Sequence, residues 1–193
     1  MLGNKLDVLD FINEHGAISI EIAKNLFYNT KYGYDTARRV LKKMEQDKLL
    51  KSDKDFVTGK KIYFLKKKIS SHKLMLLNFY SEIVALGAEV IEFQKEYKAY
   101  NKISDGLIVY KYAEEMKIIL IEIDINNKTK PKKYEELYKS NYYQNLIGTF
   151  PRIFVVDKNA ESRAKVWERG VCDDVVENVV CINYKMENLD KYL

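Results

Sequence analysis

The apolar residues of the first fifty positions recur at helical spacing in three short segments. The first segment predicts a helix over residues 4–15, which a His-Gly pair brings to an end. Ser19 is a suitable N-cap for a second helix, whose apolar face lies within residues 20–27. A third helix is predicted to open near Asp35. Three short helices with a tight turn before the third are typical of a helix-turn-helix.

Two short strands are predicted after the third helix. Residues 49–52 and 61–65 have strand character, and a Thr-Gly pair within residues 56–60 supplies a turn between them. A third helix followed by a β-hairpin is the winged variant of the motif. A lysine triplet followed by Ile-Ser-Ser then indicates a short hinge. We therefore predict a winged helix-turn-helix domain over residues 1–70 and a second domain over residues 71–193.

The second domain alternates helical patterns with apolar runs, as α/β domains do. The predicted helices cover residues 72–86, residues 131–146 and residues 160–169. The predicted strands cover residues 90–93, 107–110, 117–125, 152–156 and 179–182. This order predicts an α/β sandwich with a mixed sheet, and the whole chain is therefore assigned to the α+β class.

Positive charge is concentrated in the first domain. The chain carries a net charge of +5, yet residues 1–70 hold 15 Lys and Arg against 9 Asp and Glu, while the remainder holds 18 against 19. Neutralising the phosphates of a nucleic acid requires such a concentration, although solubility alone accounts for a few surplus lysines. The division of charge favours double-stranded DNA as the partner of the first domain.

The third helix of a winged helix enters the major groove, and the wing and turn lie along the DNA backbone. The candidate contacts on the helix are Thr36, Arg38, Arg39, Lys42 and Lys43. Those of the preceding turn and of the wing are Lys31, Tyr32, Tyr34, Lys54, Thr58, Lys60 and Lys61. Arginine suits guanine edges, while the lysines and turn residues suit phosphates. Two alternatives stay open, namely a merely solvated basic face and a winged helix that binds protein.

Acidic residues lie at the ends of two neighbouring predicted strands. Asp105 precedes one strand, while Glu122 and Asp124 lie near the end of the next and share a face because they are two residues apart. Carboxylates gathered in this way can hold Mg²⁺. These three are candidate catalytic residues, and Asp105 and Glu122 are also candidate metal ligands. Apart from Mg²⁺ at an active acidic cluster, no cofactor is expected.

The acidic pattern resembles the restriction-endonuclease-like nuclease core, which has a helix with an acid, an Asp at a strand start, and then an acid, one residue and a lysine. The resemblance makes Glu82, on the predicted helix over residues 72–86, a third candidate metal ligand beside Asp105 and Glu122. Asp105 and Glu122 match, but Asp124 stands where the lysine is expected. Because that lysine orients and activates the attacking water, cleavage would require Lys128 or Lys133 to reach back from the following segment. In the structural alternative, Asp105 is a turn residue and the other two carboxylates pair with lysines of residues 128–133.

A longer series of features spans most of the chain. A predicted winged helix is followed by Ser-Asp-Gly before a strand, Ile-Glu-Ile-Asp at a strand end, a Lys- and Tyr-rich helix over residues 132–138, and Arg-Ile-Phe-Val-Val over residues 152–156. This series resembles the replication-relaxation family of plasmids and integrative elements, in which Glu-x-Asp recurs in place of the nuclease Glu-x-Lys. The resemblance implies DNA binding at an origin in plasmid replication or conjugative transfer, with replication or transfer proteins as partners.

Two other functions stay open. A metal-dependent DNA endonuclease would use the acidic cluster, whereas a winged-helix transcriptional regulator would sense a small molecule through its second domain. Since the lysine is displaced, we lean towards a protein that is not an enzyme. The resemblance and the Glu-x-Asp strand together favour a nuclease-like fold used for binding.

The tyrosines and cysteines add two expectations. Of the 15 tyrosines, four are predicted on a single helix, at Tyr134, Tyr138, Tyr142 and Tyr143, where they suit either an interface such as a homodimer or the core. Cys172 and Cys181 have no partners at metal-ligand spacing and are expected to be buried, reduced thiols.

With no apolar run of about 18 residues, no membrane association is expected and the predicted location is the cytoplasm.

Overall fold

The computed structural model describes residues 4–193, and the fold is α+β, as the sequence predicts. The chain divides into two compact units, one that ends at Leu86 and one that spans Gly87–Leu193. The first unit contains a three-stranded sheet and the second a five-stranded mixed sheet. Each unit is described by itself below.

The first unit combines four helices with a small antiparallel sheet. Its elements are α1 (Lys5–His15), β1 (Ile18–Ser19), α2 (Ile20–Phe27), α3 (Gly33–Gln46), β2 (Lys51–Lys54), β3 (Lys61–Phe64) and α4 (Ser71–Ala85). The strand order is β1-β3-β2, so the hairpin of β2 and β3 is extended by the two residues of β1. The predicted helices are present, whereas the sequence did not predict β1, because two residues are too few to show a period.

Side-chain caps and a shared apolar core position these helices. Asn4 and Asp7 form a capping box at the start of α1, and the Ser19 hydroxyl accepts a hydrogen bond from the Ile22 amide at the start of α2. From α3, Leu41 turns inward and is fully buried. Local capping therefore fixes the starts of α1 and α2, whereas α3 has no side-chain cap and is held by its buried face.

The boundary between the units lies later than the sequence predicts. Helix α4 packs against α2, where the buried Asn25 amide donates to the buried Ser81 hydroxyl at 3.2 Å. Asn29 also donates to the Ala85 carbonyl at 3.2 Å. The lysine triplet after β3 therefore does not mark a domain boundary, and the predicted division between residues 70 and 71 is corrected to Leu86 and Gly87.

The second unit is built on a mixed sheet with the strand order β4-β5-β6-β7-β8. Its strands are β4 (Glu89–Ala99), β5 (Lys102–Tyr112), β6 (Glu115–Asp124), β7 (Arg152–Asp157) and β8 (Val179–Ile182). Strands β4 to β6 are antiparallel, and β6 to β8 are parallel. Strands β4 and β8 form the two edges. All five predicted strands are present, although β4 and β5 are considerably longer than the apolar runs that predicted them.

Short helices follow the central and edge strands of this sheet. They are α5 (Lys132–Lys139), α6 (Tyr142–Ile147), α7 (Ala160–Gly170) and α8 (Asp173–Val176), with a final 3-10 helix over Leu189–Tyr192. The single helix predicted from residue 131 to 146 is wrong, because Asn141 adopts a left-handed conformation with φ 56° and separates α5 from α6. Asparagine is among the few residues that adopt this conformation readily.

The break between α5 and α6 changes the interpretation of the tyrosines. Tyr134 of α5 and Tyr143 of α6 are buried in the core of the unit, together with Trp167 of α7. The Tyr134 and Trp167 rings lie 5.7 Å apart between centroids. These two tyrosines are therefore core residues, whereas Tyr138 and Tyr142 are half-buried.

The two cysteines are free thiols, but they are half-buried and not buried as predicted. Burial raises the pKa of the Cys181 thiol to about 12, so this sulfur remains a thiol and a poor nucleophile at neutral pH. Within residues 4–193, none of the helices is both long and apolar enough to cross a membrane.

Candidate functional site

Helix α3 presents a basic face opposite its buried face. Arg38, Arg39, Lys42 and Lys43 are exposed, while the residues that alternate with them at helical spacing are buried. Thr36, predicted on the same outer face, is half-buried. A shallow groove runs along this face, lined by Tyr32, Asp35, Thr36, Arg38, Arg39, Lys42, Lys43 and Gln46. The predicted helix residues are thus brought together on one continuous surface.

The cations of this basic face differ in their partners. Arg38 lies 3.4 Å from the Asp35 carboxylate and Lys43 lies 2.7 Å from that of Asp47, and all four side chains are largely solvated. Neither Arg39 nor Lys42 has a carboxylate within 4.0 Å in residues 4–193. Solvated pairs within one helix are weak, so an incoming phosphate can compete for all four cations.

A close backbone approach sets the start of α3. A Cβ atom at Gly33 would lie 1.7 Å from the Tyr28 carbonyl oxygen, so only glycine fits at this position. Lys31 and Tyr32, before Gly33, and Tyr34, after it, are predicted DNA contacts. All three are exposed, and the Lys31 ammonium lies 5.6 Å from the centre of the Tyr32 ring. The turn therefore presents an aromatic and a cation beside the first turn of α3.

The β2–β3 hairpin is joined to α3 through one carboxylate. Glu45 of α3 accepts from the Ser52 hydroxyl at 2.5 Å and pairs with Lys61 at 2.7 Å. The hydrogen bonds from Lys61 and Ser52 hold the pKa of Glu45 below its usual value. The charge of the predicted wing residue Lys61 is therefore already paired within the protein.

Two further predicted wing residues are also engaged. Lys60 pairs with Glu21 of α2 at 3.0 Å, and the Thr58 hydroxyl donates to the Asp55 carboxylate at 2.7 Å. Lys54 is exposed at the end of β2. Of the four predicted wing contacts, Thr58 is thus hydrogen-bonded within the turn and Lys54 is exposed to solvent. Lys60 and Lys61 form ion pairs, so a DNA phosphate would have to compete with a carboxylate for each of them.

The predicted acidic residues of the second unit lie in the buried polar layer at the end of β6. Both oxygens of the buried Glu122 carboxylate are engaged. Lys133 pairs with Oε1 at 2.6 Å, the Tyr134 hydroxyl donates to the same oxygen at 2.5 Å, and the Thr129 hydroxyl lies 2.8 Å from Oε2. A divalent cation at this carboxylate would have to share its oxygens with Lys133, Tyr134 and Thr129.

Asp124 is also neutralised from within the unit. Its carboxylate pairs with Arg163 of α7 at 2.5 Å, and both side chains are almost fully buried. Its Oδ1 accepts from the Thr129 amide at 2.8 Å. In the next strand Asp157, paired in register with Asp124, forms an ion pair with Lys128 at 2.5 Å. Each buried carboxylate at this end of the sheet therefore has its own cation.

The other two candidate ligands, Asp105 and Glu82, belong to different units. Asp105 of β5 accepts a hydrogen bond from the Ile123 amide at 2.7 Å, and its charge contributes to raising the pKa of Glu122. Glu82 lies on α4 in the first unit. No group of three or more His, Cys, Asp or Glu residues within residues 4–193 is arranged to hold a metal ion.

Burial dominates the electrostatics of the Glu122 pocket. Removal from water raises the pKa of Glu122, and the Asp105 charge raises it further, while Lys133 and Tyr134 only partly offset these effects. Burial, followed by the Glu122 charge, raises the pKa of Tyr134 well above its usual value. Tyr134 is thus a permanent hydrogen-bond donor to Glu122.

This pKa shift predicts a pH-dependent stability difference. Since the folded-state pKa of Glu122 is raised above 4.5, its contribution is fully present below that pH and is lost as the pH rises through the folded value. We expect the wild type to lose stability relative to Glu122→Gln between about pH 4 and about pH 8, measured by urea unfolding. Parallel stability curves for the two proteins would contradict the prediction.

An exposed carboxylate provides the control for that measurement. Lys102 holds the pKa of Glu136 below its usual value through a hydrogen bond and its charge. A depressed pKa contributes stability that is lost as the pH falls, so Glu136→Gln is expected to give a small difference of the opposite sign.

Several residues of this buried layer were not predicted from the sequence. Thr129, Asp157 and Arg163 belong to a loop, a strand end and a helix, and only the fold brings them together. A signal existed for Asp157, because it ends an apolar strand as Asp124 does.

Comparisons of the chain with models of protein families, with curated proteins and with solved structures found no match.

Proposed function

We propose that the protein binds double-stranded DNA through its first unit, and that this unit is a winged helix-turn-helix. The observation that carries the proposal is the exposed basic face of α3, which is backed by a fully buried apolar face. The order of three helices and a hairpin also supports it, since that order presents the third helix to the major groove. Arg38 and Arg39 suit base edges, and Lys42 and Lys43 suit phosphates.

We further propose that this binding addresses an origin in the replication or conjugative transfer of a mobile element. The resemblance of the chain to the replication-relaxation family supports this role. The second unit then acts as a nuclease-like fold that binds DNA or a partner protein. The ion pairs of Asp124 with Arg163 and of Asp157 with Lys128 support binding without cleavage.

The salt dependence of duplex binding tests the first proposal. The full chain is expected to bind a duplex of about 30 base pairs at low salt, with log affinity falling steeply against log salt. Lys42→Ala is expected to reduce the magnitude of this slope by about 0.9, because one fewer counterion is released. The matched control is Lys165→Ala, which removes an exposed lysine from α7 of the second unit. A wild-type protein that binds no duplex at low salt would refute the proposal.

One observation favours endonuclease activity as a second candidate function. Lys133 reaches back from α5 to the Glu122 carboxylate, as the displaced lysine of a nuclease core would have to do. Incubation of supercoiled plasmid with the protein and Mg²⁺ or Mn²⁺ separates the two functions. Under the first proposal the plasmid stays supercoiled, while nicking that disappears in both Asp105→Ala and Lys133→Ala would establish cleavage.

A further inference from the structure

The turn between β2 and β3 carries a phenylalanine that is almost completely exposed. Phe56 is 94% exposed, more than any other large apolar side chain of the described residues. Turn positions of this kind usually carry Gly, Asn, Asp or Ser. A phenyl ring held in water at the tip of a hairpin adds nothing to the core, and this position is open to contact with a partner.

The turn itself does not need the ring. Its hydrogen bonds are made by Asp55, whose carboxylate accepts from the Thr58 amide and hydroxyl, each at 2.7 Å. The Asp55 backbone adds two bonds, one from its amide to the Lys60 carbonyl at 2.8 Å and one from the Gly59 amide to its carbonyl at 2.9 Å. These contacts would persist with a small residue at position 56.

The turn is also held by contacts with α4 and with the segment that precedes α4. The other carboxylate oxygen of the buried Asp55 accepts from the Ser71 hydroxyl, at the first turn of α4, at 2.5 Å. Lys68 pairs with Asp53 of β2 at 2.7 Å and donates to the Lys54 carbonyl at 3.2 Å. The Phe56 ring is thus presented by a backbone that is tied to α4, which is what a side chain needs in order to deform a stiff partner.

The charges around the ring indicate the kind of partner. Lys54 precedes the turn and Lys60 follows it, and both are exposed, although Lys60 also pairs with Glu21 of α2. The same hairpin is joined to the basic helix α3 through Glu45. An aromatic side chain flanked by cations, on a unit with a basic helix, matches duplex DNA, in which apolar side chains enter between base steps from the minor groove.

We infer that Phe56 is an apolar wedge that inserts between base pairs from the minor groove and bends the DNA bound by α3. The inference rests on the proposed DNA binding and names how the hairpin takes part in it. Lys54 and Lys60 would hold the phosphates on the two sides of the opened step. The ring recognises deformability and not base identity, so flexible pyrimidine–purine steps are its preferred sites.

Ligase-mediated circularisation of short DNA tests the wedge. Fragments of about 120 base pairs are shorter than the persistence length and circularise rarely without a bending protein. We expect the full-length wild type to raise circle formation at least several-fold, Phe56→Ala to abolish this gain while duplex affinity falls roughly tenfold or less, and Phe56→Trp to restore it. The control is Leu146→Ala, which removes an exposed apolar side chain from the second unit without changing either readout.

The outcomes separate the wedge from the proposed function. If the wild type binds duplex but does not promote circles, or if Phe56→Ala promotes them equally well, the wedge is refuted and DNA binding stands. If the wild type fails to bind duplex at all, DNA binding itself is refuted. If Phe56→Ala leaves circle formation intact but abolishes binding of the protein to phosphatidylserine vesicles, the ring serves a membrane surface and the wedge is overturned.

Discussion

Replacing Arg163 with methionine is expected to lower the free energy of unfolding by about 3–5 kcal/mol. Arg163 is 7% exposed and its guanidinium pairs with the carboxylate of Asp124, which is fully buried. Methionine fills a similar volume but leaves that carboxylate without a counter-charge in a site that water does not reach. It also removes the hydrogen bond that Arg163 donates to the Thr129 carbonyl.

Urea unfolding of the full chain at neutral pH measures this loss. Arg163→Lys retains the charge but not the planar fork, so we expect an intermediate value. The control pair is Lys139 and Glu135, 2.7 Å apart on the surface of α5, where Lys139→Ala is expected to cost no more than about 0.5 kcal/mol. If Arg163→Met costs as little as Lys139→Ala, the buried pair does not support the fold.

The double variant Arg38→Ala with Arg39→Ala is expected to weaken binding to the preferred duplex on the order of 100-fold. Each bidentate contact between an arginine and a guanine contributes about 1–3 kcal/mol of discrimination. Both side chains are exposed on the outer face of α3, so their removal leaves the buried Ala37, Leu41 and Met44 undisturbed. The stability of the protein should therefore remain unchanged.

The measurement compares affinities for two duplexes, one selected by the wild type from a random library and one of unrelated sequence. We expect the loss to be much larger on the selected duplex, because base contacts carry specificity and phosphate contacts do not. The control variant, Lys165→Ala with Arg169→Ala, removes the same charge from exposed positions of α7. An equal loss on both duplexes would assign the two arginines to phosphates and contradict base recognition.

Local signals in the sequence predicted the order of elements well. Helices α1 and α2 have side-chain caps, and a strand such as β6 contains a long apolar run. The unit boundary was not predictable in this way. The Lys-Lys-Lys segment has the composition of a hinge, whereas the packing of α4 on α2 depends on contacts between Ser81 and Asn25, 56 residues apart in sequence.

The candidate site was predictable in its residue types but not in its pairings. The positions of Glu122 and Asp124 on one strand followed from the strand period, and a lysine near Glu122 was an open alternative. The placement of the helices over the sheet decides that Lys133 and not Lys128 pairs with Glu122. It also decides that Arg163 of α7 pairs with Asp124. The same applies to Phe56, whose exposure only the turn geometry reveals.

Strand β4 has a consequence for how copies of this chain can associate. Among the described residues, its outer side has no neighbouring strand over Glu89–Ala99, and such an edge is a template for further strands. Five of those residues are charged, its pairing with β5 is interrupted between Val90 and Glu92, and Glu96 adopts a left-handed conformation with φ 55°. A copy of the strand stacked in parallel register would meet like charges at each of these positions and an irregular backbone, so fibril-like stacking through this edge is disfavoured.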